Sequence, residues 1–419
     1  MMSPTFSLYI HWPFCESKCP YCDFNSHVLR TITEDMWIEA IIHEMTRTRD
    51  LMEPRTLRSI FFGGGTPSLM SPEAVAAVIN AATTLWPTTP NLEISMEANP
   101  GSVEAARFAG YRQAGVNRLS IGIQALNDAD LKALGRKHSA AEALKALEIA
   151  QNTFDRVSFD LIYARMNQTL DAWRDELATA LSFGTEHLSL YQLTIEPGTA
   201  FAPLHKRGEL VIPEENEAYH LFQLTQEMTE AAGLPGYEVS NHARPGKECQ
   251  HNLTYWNYGD YVGVGPGAHG RIHLANNRLV SNLLKNVYPA DVIRGSKCLD
   301  QVRAIHNVKF RKMSNDRVAT QQIKAPELWH KAVSEKGTGD QSVIELTPEE
   351  QFKERLLMGL RLKTGIDVSS LGRAFTESEQ NRLLALRNEG LLMTGESRLQ
   401  LTAKGTLVQN AVLAYVLGD

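Results

Sequence analysis

Short apolar segments alternate with longer amphipathic segments through the first half of this chain. Short apolar runs between helical patterns are typical of βαβ units, which form parallel sheets. The pattern predicts strands at 7–11, 59–62, 92–97, 118–121, 157–161 and 187–191, and helices at 34–51, 72–86, 103–114, 140–151 and 170–182. Six such units favour an α/β fold of the TIM type, a partial (βα)6 barrel that stays open on one side.

The pattern changes after a further predicted helix at 213–232, whose first turn is acidic. Residues 233–270 are rich in Gly, Pro and aromatic side chains, a composition typical of loops. We therefore interpret 1–232 as the core barrel and 233–280 as a loop region that builds a binding surface.

Residues 285–313 differ in charge from the rest of the chain, with seven Lys or Arg against two Asp or Glu and no clean periodicity. Because most charged runs are solvated faces, we interpret 281–344 as a basic insertion and linker. The alternative is a patch that binds anionic lipid or a partner protein.

Residues 345–419 predict a separate C-terminal unit. Thr347 and Thr376 each stand three residues before a Glu, the pattern of a capping box at a helix start. A hairpin at 391–401 and a helix at 403–416 complete an α+β arrangement that resembles a winged-helix module. Nine Lys or Arg against ten Asp or Glu leave no basic face, so we do not expect nucleic-acid binding.

Composition and charge narrow the classes of function. The 419 residues are 43% hydrophobic and 21% charged, as in ordinary globular proteins, and the net charge of -6 argues against binding nucleic-acid phosphates. No apolar run approaches the roughly 20 residues needed to span a bilayer. The N-terminus lacks the pattern of a secretory signal, so we expect a cytoplasmic protein.

The most informative cysteines are Cys15, Cys19 and Cys22, in a C-x3-C-x2-C pattern after the first predicted strand. Three thiolates on one loop can hold three irons of a 4Fe-4S cluster, which normally has four Cys ligands, and leave the fourth iron open. A structural zinc site would need a second pair of ligands, but Cys249 and Cys298 stand alone. A disulfide framework is disfavoured in a long chain without a secretory signal.

This spacing is the signature of the radical S-adenosylmethionine (SAM) superfamily, which the chain resembles. In that superfamily the amino and carboxylate groups of SAM chelate the open iron. A GGGTP run, here 63–67, holds the methionyl amino group. The runs SMEANP at 95–100, RLSIGIQ at 118–124 and FDLIY at 159–163 resemble the oxygen-independent coproporphyrinogen III oxidases and their relatives. The resemblance covers nearly the whole chain apart from the basic segment.

The resemblance implies a set of site residues. Cys15, Cys19 and Cys22 would hold the cluster, and the SAM region would be lined by Tyr9, Tyr21, Gly64, Gly65, Thr66, Glu97, Gln124, Arg136 and Asp160. Glu97 and Asp160, at the C-terminal ends of strands, can accept hydrogen bonds from ribose hydroxyls, and Arg136 can pair with a carboxylate. For each acidic residue the alternative is capping of the following helix.

Two departures separate the chain from the oxidase branch. The oxidases carry a further cysteine where this chain has Phe24, and they carry an N-terminal extension that we do not expect before a first strand at residue 7. Both features resemble the sister branch, the HemW-type heme chaperones. The run HNLTYW at 251–256 also matches the H-N-x-x-Y-W motif associated with heme binding in that branch. Because neutral imidazole is a common ligand of heme iron, we predict that His251 binds heme; the alternative is a loop histidine satisfied by backbone hydrogen bonds.

The resulting hypothesis is a heme chaperone that carries a 4Fe-4S cluster and SAM and delivers heme to acceptor hemoproteins. The resemblance suggests recipients among membrane respiratory enzymes, reached by peripheral association at the inner face of the membrane. It leaves open whether the chain is a homodimer and whether SAM is cleaved. The rival is an oxygen-independent coproporphyrinogen III oxidase, an enzyme that converts propionate side chains into vinyl groups. A regulatory role of the C-terminal unit is disfavoured by its balanced charge.

Overall fold

The computed structural model describes residues 4–29, 32–274, 317–395 and 397–418. Its strands are β1 (Thr5–Trp12), β2 (Phe14–Cys15), β3 (His27–Val28), β4 (Thr56–Gly64), β5 (Thr88–Ala98), β6 (Arg118–Gln124), β7 (Arg156–Tyr163), β8 (His187–Gln192), β9 (Asn241–Ala243), β10 (Asp260–Val264), β11 (His269–His273), β12 (Arg317–Gln322), β13 (Asp340–Glu345), β14 (Ile366–Asp367) and β15 (Arg398–Leu399).

The described α-helices are α1 (Glu34–Leu51), α2 (Pro72–Leu85), α3 (Ser102–Ala105), α4 (Phe108–Ala114), α5 (Asp128–Ala133), α6 (Ala140–Thr153), α7 (Leu170–Ser182), α8 (Phe201–Lys206), α9 (Glu215–Ala231), α10 (Gln250–Trp256), α11 (Pro326–Lys336), α12 (Pro348–Gly359), α13 (Glu377–Asn388), α14 (Ala403–Leu407) and α15 (Gln409–Leu417). Single 3-10 turns lie at Pro67–Leu69 and Val368–Leu371.

An eleven-stranded sheet carries the fold, in the order β13-β12-β11-β10-β1-β4-β5-β6-β7-β8-β9. The six predicted strands form its centre, because β1, β4, β5, β6, β7 and β8 are neighbours in chain order and pair in parallel. Helices α1, α2, α6 and α7 connect them close to the predicted bounds. The prediction of six βα units around a parallel sheet is confirmed.

The parallel strands present an apolar side to the main core and a polar side to the barrel interior. In β1, Phe6 and Leu8 belong to the core, while Ser7 between them lies on the opposite side, as side chains alternate along a strand. Strand pairing places Ser7 beside Ser59 and Ser59 beside Glu93. The polar side of one strand therefore continues into the next.

The central sheet is strongly curved. Tyr9 on β1 and Tyr191 on β8 line the same cavity of about 170 Å3. In a flat sheet these strands would lie about 24 Å apart, at roughly 4.8 Å for each neighbouring strand. The strands therefore wrap around an interior space, and their C-terminal ends meet at one mouth of the half barrel.

The interpretation of 233–270 as loops was wrong. This stretch contains β9, α10 and β10, and β10 pairs in parallel with β1 as a further strand of the half barrel. Gly233, Gly246, Gly265 and Gly267 have the positive φ of turns, but Gly263 has another cause, since a Cβ there would lie 2.0 Å from the carbonyl oxygen of His269. The composition therefore reflects turns and, at Gly263, the close approach of two backbones within the sheet.

The C-terminal part of the predicted linker 281–344 also belongs to the sheet. Strands β12 and β13 extend it in antiparallel pairing beyond β11, and α11 lies between them in sequence. Helix α11 packs on α1, where the rings of Trp37 and Trp329 stack with centroids 6.3 Å apart. The basic segment 285–313 lies outside the described residues.

The C-terminal unit has its own hydrophobic core, formed by Phe352, Leu356, Leu360, Leu371, Leu383, Leu386, Leu392, Leu399, Leu401, Val412, Leu413 and Val416. Thr347 and Thr376 form the two predicted capping boxes. The predicted hairpin is present as a short antiparallel contact, with a bridge between Leu392 and Leu401 and a hydrogen bond from the Met393 amide to the Gln400 carbonyl oxygen at 2.9 Å, while Leu399 pairs with Ile366. The predicted helix at 403–416 divides into α14 and α15.

One buried leucine of α12 tests this core. Leu356 is 0% exposed and its neighbour Leu357 is 42% exposed. Leu356→Ala is expected to lower the free energy of unfolding by about 2–5 kcal/mol, measured by urea denaturation, because it opens a cavity. The matched control Leu357→Ala is expected to change it by less than about 0.5 kcal/mol. Equal losses in the two variants would contradict the described packing.

Candidate functional site

The three cysteines of the predicted cluster site lie on one loop at the mouth of the half barrel. Strands β2 and β3 join the two ends of this loop, with Phe14 opposite His27. Inside the loop, the Cys22 amide donates to the carbonyl oxygen of Cys19 at 3.1 Å. Cys15, Cys19 and Cys22 line one cavity of about 340 Å3, which we call the upper cavity. The fold of the loop thus brings the three thiols to one space.

The glycine-rich turn after β4 packs directly against the cysteine loop. The amides of Gly65 and Thr66 donate to the carbonyl oxygens of Trp12 and Phe14 at 2.7 and 2.8 Å. A Cβ at Gly65 would lie 2.7 Å from the Phe14 carbonyl oxygen, so a larger residue would push the two segments apart. The Thr66 hydroxyl donates to Sγ of Cys15 at 3.3 Å. Turn and loop together form the floor of the upper cavity.

The three thiols of the upper cavity provide the cysteine ligands that a 4Fe-4S cluster with one open iron requires. Within the described ranges, no three His, Cys, Asp or Glu side chains are placed to hold one metal ion. In a 4Fe-4S cluster each thiolate binds a different iron, so the sulfurs surround a cube and do not meet at a point. Arg136 also donates to Sγ of Cys19 at 3.4 Å, a contact of the kind that tunes cluster sulfurs. These residues could therefore hold such a cluster.

Eight of the nine residues predicted for the SAM region line the upper cavity, namely Tyr21, Gly64, Gly65, Thr66, Glu97, Gln124, Arg136 and Asp160. The ninth, Tyr9, lines the cavity of about 170 Å3, which we call the lower cavity. Its hydroxyl lies 3.1 Å from Nδ1 of His11. Glu97 and Asp160 line both cavities, so the two spaces adjoin.

Local backbone structure fixes two of these side chains. Gln124 has a φ of 76°, in the left-handed region, at the irregular end of the pairing between β6 and β7. Arg136 donates to Oδ1 of Asn99 at 2.8 Å and to the carbonyl oxygen of Gly122 at 3.0 Å. These contacts hold the guanidinium in the cavity wall, beside the cysteine loop.

Glu97 and Asp160 are buried carboxyl groups with raised pKa values. Burial first, and then the charge of Asp160, raises the pKa of Glu97 to about 7, and burial raises the pKa of Asp160 to about 6. Glu97 accepts a hydrogen bond from the Gly64 amide and Asp160 accepts one from the Ser120 hydroxyl, each at 3.2 Å. Their remaining lone pairs are free to accept from the hydroxyls of a ligand.

His251, the predicted heme ligand, is 1% exposed and has both ring nitrogens engaged. Its Nδ1 lies 3.0 Å from the Ser59 hydroxyl and its Nε2 lies 2.8 Å from the Tyr255 hydroxyl. The ring stacks on Phe61 with centroids 4.9 Å apart. Burial lowers the pKa of His251 to about 3, so the ring is neutral at physiological pH. The expectation that this residue lies on a loop was wrong, because it lies on α10.

A heme does not fit at His251 in this structure. The lower cavity measures about 170 Å3, below the roughly 300–1,000 Å3 typical of pockets for drug-sized ligands. Coordination of iron would require Ser59 or Tyr255 to release a nitrogen and α10 to withdraw from the barrel interior. The assignment of heme binding to His251 therefore stays a prediction.

Glu93, a residue outside the predicted site, fixes the start of α10. Its carboxylate accepts hydrogen bonds from the amides of Gln250 and His251, each at 3.2 Å, and pairs with Arg156 at 2.6 Å. Burial opposes ionisation, but the charges of Arg118 and Arg156 leave the pKa of Glu93 lowered. An acidic residue inside the apolar run 92–97 was the available sign of this role, because a buried charge requires partners.

Comparison with known proteins agrees with this geometry. Residues 9–179 match the Radical SAM superfamily and residues 346–408 match the HemN C-terminal domain. A protein named heme chaperone HemW from Escherichia coli K12 is 40% identical over 70% of this chain and 76% of its own length. Its namesake from Bacillus subtilis is 32% identical over 99% of both chains. The chain belongs to the HemW family of radical SAM proteins.

The chain is also similar to a eukaryotic protein and to a solved structure. The Mus musculus protein named radical S-adenosyl methionine domain-containing protein 1, mitochondrial, is 36% identical over 98% of this chain and 87% of its own. The structure of coproporphyrinogen III oxidase HemN from Escherichia coli matches 99% of this chain and 90% of its own with a TM-score of 0.76 at 20% identity. This likeness confirms the predicted fold class.

Because the pKa of Glu97 is raised, we predict that Glu97→Gln increases the melting temperature in a pH-dependent way. A carboxyl with a folded pKa near 7 and an unfolded value of about 4.5 destabilises the folded state as pH rises through that window. The neutral amide keeps an acceptor for Gly64. Without cofactors, the variant is therefore expected to have a higher melting temperature than wild type at about pH 8 and the same melting temperature near pH 4.5. The exposed Glu148→Gln should show no such divergence, and a pH-independent gap in Glu97→Gln would contradict the raised pKa.

Proposed function

We propose that this chain is a heme chaperone that carries a 4Fe-4S cluster and SAM, binds heme and passes it to acceptor hemoproteins. The observation that carries the proposal is its relation to proteins named heme chaperone HemW, one of them 32% identical over 99% of both chains. The grouping of the cysteine loop, the glycine turn and two buried carboxyls around one cavity supports the cofactor part of the proposal.

In this proposal Cys15, Cys19 and Cys22 would each hold one iron of a 4Fe-4S cluster, a group whose chemistry is one-electron transfer. The backbone of the turn at Gly63–Pro67 approaches the methionyl amino group without Cβ interference. Glu97 and Asp160 accept hydrogen bonds from the ribose hydroxyls. Arg136 stays beside Cys19 and offers its positive charge to the carboxylate of SAM.

A cysteine pair tests the cluster. Cys19→Ser is expected to lose most of the iron and sulfide that wild type takes up in anaerobic reconstitution, because a serine hydroxyl is a poor ligand for a cluster iron. Cys249→Ser is the matched control, since this buried thiol lies near Glu93, at 3.5 Å, away from the upper cavity. Iron and sulfide content, with the electron paramagnetic resonance of the reduced protein, gives the result. Equal loss in both variants would contradict the assigned ligands.

Delivery to membrane respiratory enzymes is the further part of the proposal. No helix within the described ranges is long and apolar enough to cross a membrane. We therefore propose that any meeting with such recipients occurs by peripheral contact. Phe24, a lining residue of the upper cavity that is 60% exposed, is an apolar side chain available for contact with heme or a recipient.

Heme titration of wild type, His251→Ala and Tyr255→Phe tests the heme part. If His251 becomes the axial ligand, His251→Ala is expected to weaken binding at least tenfold and shift the Soret band. Tyr255→Phe, which releases Nε2 from its hydrogen bond, should bind heme more tightly. Unchanged binding in both variants would contradict the His251 assignment alone.

The same preparations decide between chaperone and oxidase. Wild type is expected to bind heme and to leave coproporphyrinogen III unconverted under anaerobic, reducing conditions with SAM. Failure of wild type to bind heme would contradict the chaperone proposal. Turnover at ordinary enzymatic rates, of order 1 per second or above, would replace it with the oxidase.

A further inference from the structure

The lower cavity contains a buried cation without a direct partner. Arg118, on β6, is 3% exposed and lines this cavity. Among the described residues its side chain takes part in no hydrogen bond and no ion pair. Burial opposes its charge, but the surrounding groups, Cys249 and Glu93 first and Asp160 among the others, leave the pKa of Arg118 raised. Buried charged groups are nearly always paired, so this guanidinium calls for a partner that enters the cavity.

A second donor lines the same cavity. Asn252, on α10, is half-buried, and its side-chain amide makes no hydrogen bond within the part of the chain that the structure describes. Its neighbour His251 is fully engaged by Ser59 and Tyr255 and has no donor to offer. Arg118 and Asn252 thus supply N–H groups from two different elements to one enclosed space.

The walls of the lower cavity decide which anion suits these donors. Most of its lining is polar, and the aromatic rings of Phe61 and Tyr9 are among the surfaces that a short aliphatic group could contact. The guanidinium fork matches a carboxylate in two parallel hydrogen bonds. The volume of about 170 Å3 admits a short arm and excludes a macrocycle.

Glu97 and Asp160 are the groups that oppose an anion here, because both line the lower cavity. Each already accepts a hydrogen bond, from Gly64 and from Ser120, and their pKa values of about 7 and about 6 leave them partly protonated near neutral pH. Their residual charge disfavours a dianion such as phosphate more strongly than a monoanion.

We propose that Arg118 and Asn252 form a carboxylate-binding subsite inside the half barrel, which takes a short aliphatic monocarboxylate. Since Glu97, Ser120 and Asp160 line both cavities, the carboxylate can be a free molecule or an arm of a ligand seated in the upper cavity. The second source, where the ligand is heme, rests on the proposed function; the first does not.

Propionate is the probe for the subsite itself. The full-length protein is titrated with carboxyl-labelled propionate at constant ionic strength, and binding is followed by 13C line broadening and by the rise of the melting temperature. Saturable binding of propionate is expected, with propionamide, its neutral analogue, and phosphate each at least tenfold weaker. Absence of saturable propionate binding, or phosphate binding as tightly, would overturn the proposal.

Variants assign the binding to the two donors. Asn252→Asp puts a negative charge at the subsite and is expected to weaken propionate binding at least tenfold, as is Arg118→Gln. Asn257→Asp makes the same change at the exposed end of α10 and should bind propionate as wild type does. If Arg118→Gln fails to fold, propionate binding by Asn252→Asp alone tests the proposal. Equal binding by Asn252→Asp and Asn257→Asp would overturn the proposal.

Heme and its dimethyl ester distinguish the two sources of the carboxylate. If the subsite takes a propionate arm of heme, wild type is expected to bind heme at least tenfold more tightly than the ester, and Asn252→Asp should remove this difference. Equal binding of heme and ester restricts the subsite to free carboxylates. No heme binding at all would contradict the proposed function and leave the propionate result standing.

Discussion

The polar lining of the barrel interior is the constraint on which the rest of this structure depends. The interior of a closed TIM barrel is packed with branched apolar side chains, whereas here it holds Ser7, Ser59, Arg118 and Asp160. Buried polar groups must find partners, and water has limited access to this space. Helix α10 supplies many of them, for example through the 2.7 Å contact between the hydroxyls of Thr254 and Ser7. The polar groups that α10 does not reach line the two cavities.

This view changes the meaning of the H-N-x-x-Y-W motif in this chain. His251 links the hydroxyls of Ser59 and Tyr255, and the Glu93 carboxylate accepts a hydrogen bond from the His251 amide at the start of α10. Each such hydrogen bond contributes about 0.5–1.5 kcal/mol, and a partner left buried without one costs about 1–3 kcal/mol. Moving His251 to a heme would therefore cost several kcal/mol, which the iron–imidazole bond would have to offset. The motif therefore explains first how α10 packs on the barrel interior. A role of His251 in ligand binding would require the free energy that breaks its hydrogen bonds.

Local patterns made most of the fold and the upper cavity predictable. The strands and helices of the βα units follow from periodicity, the cysteine loop spans eight positions from Cys15 to Cys22, and the glycine turn directly follows a strand. The lower cavity was not predictable in this way, because its contacts join distant positions. Glu93 meets α10 across more than 150 residues, and Gly263 in β10 reflects the approach of another backbone within the sheet. Periodicity and composition do not predict such contacts between distant positions.

The shared wall of the two cavities has a consequence for binding. A ligand in the upper cavity whose hydroxyls donate to Glu97 and Asp160 favours their ionised forms and lowers their pKa values. The added negative charge faces the lower cavity, where Arg118 lies, and both neutralises the guanidinium and opposes an anion beside it. By thermodynamic reciprocity, an anion on Arg118 must weaken the upper ligand by the same factor. A free anion on Arg118 and such a ligand in the upper cavity would therefore disfavour each other's binding through the two carboxyl groups, without touching one another.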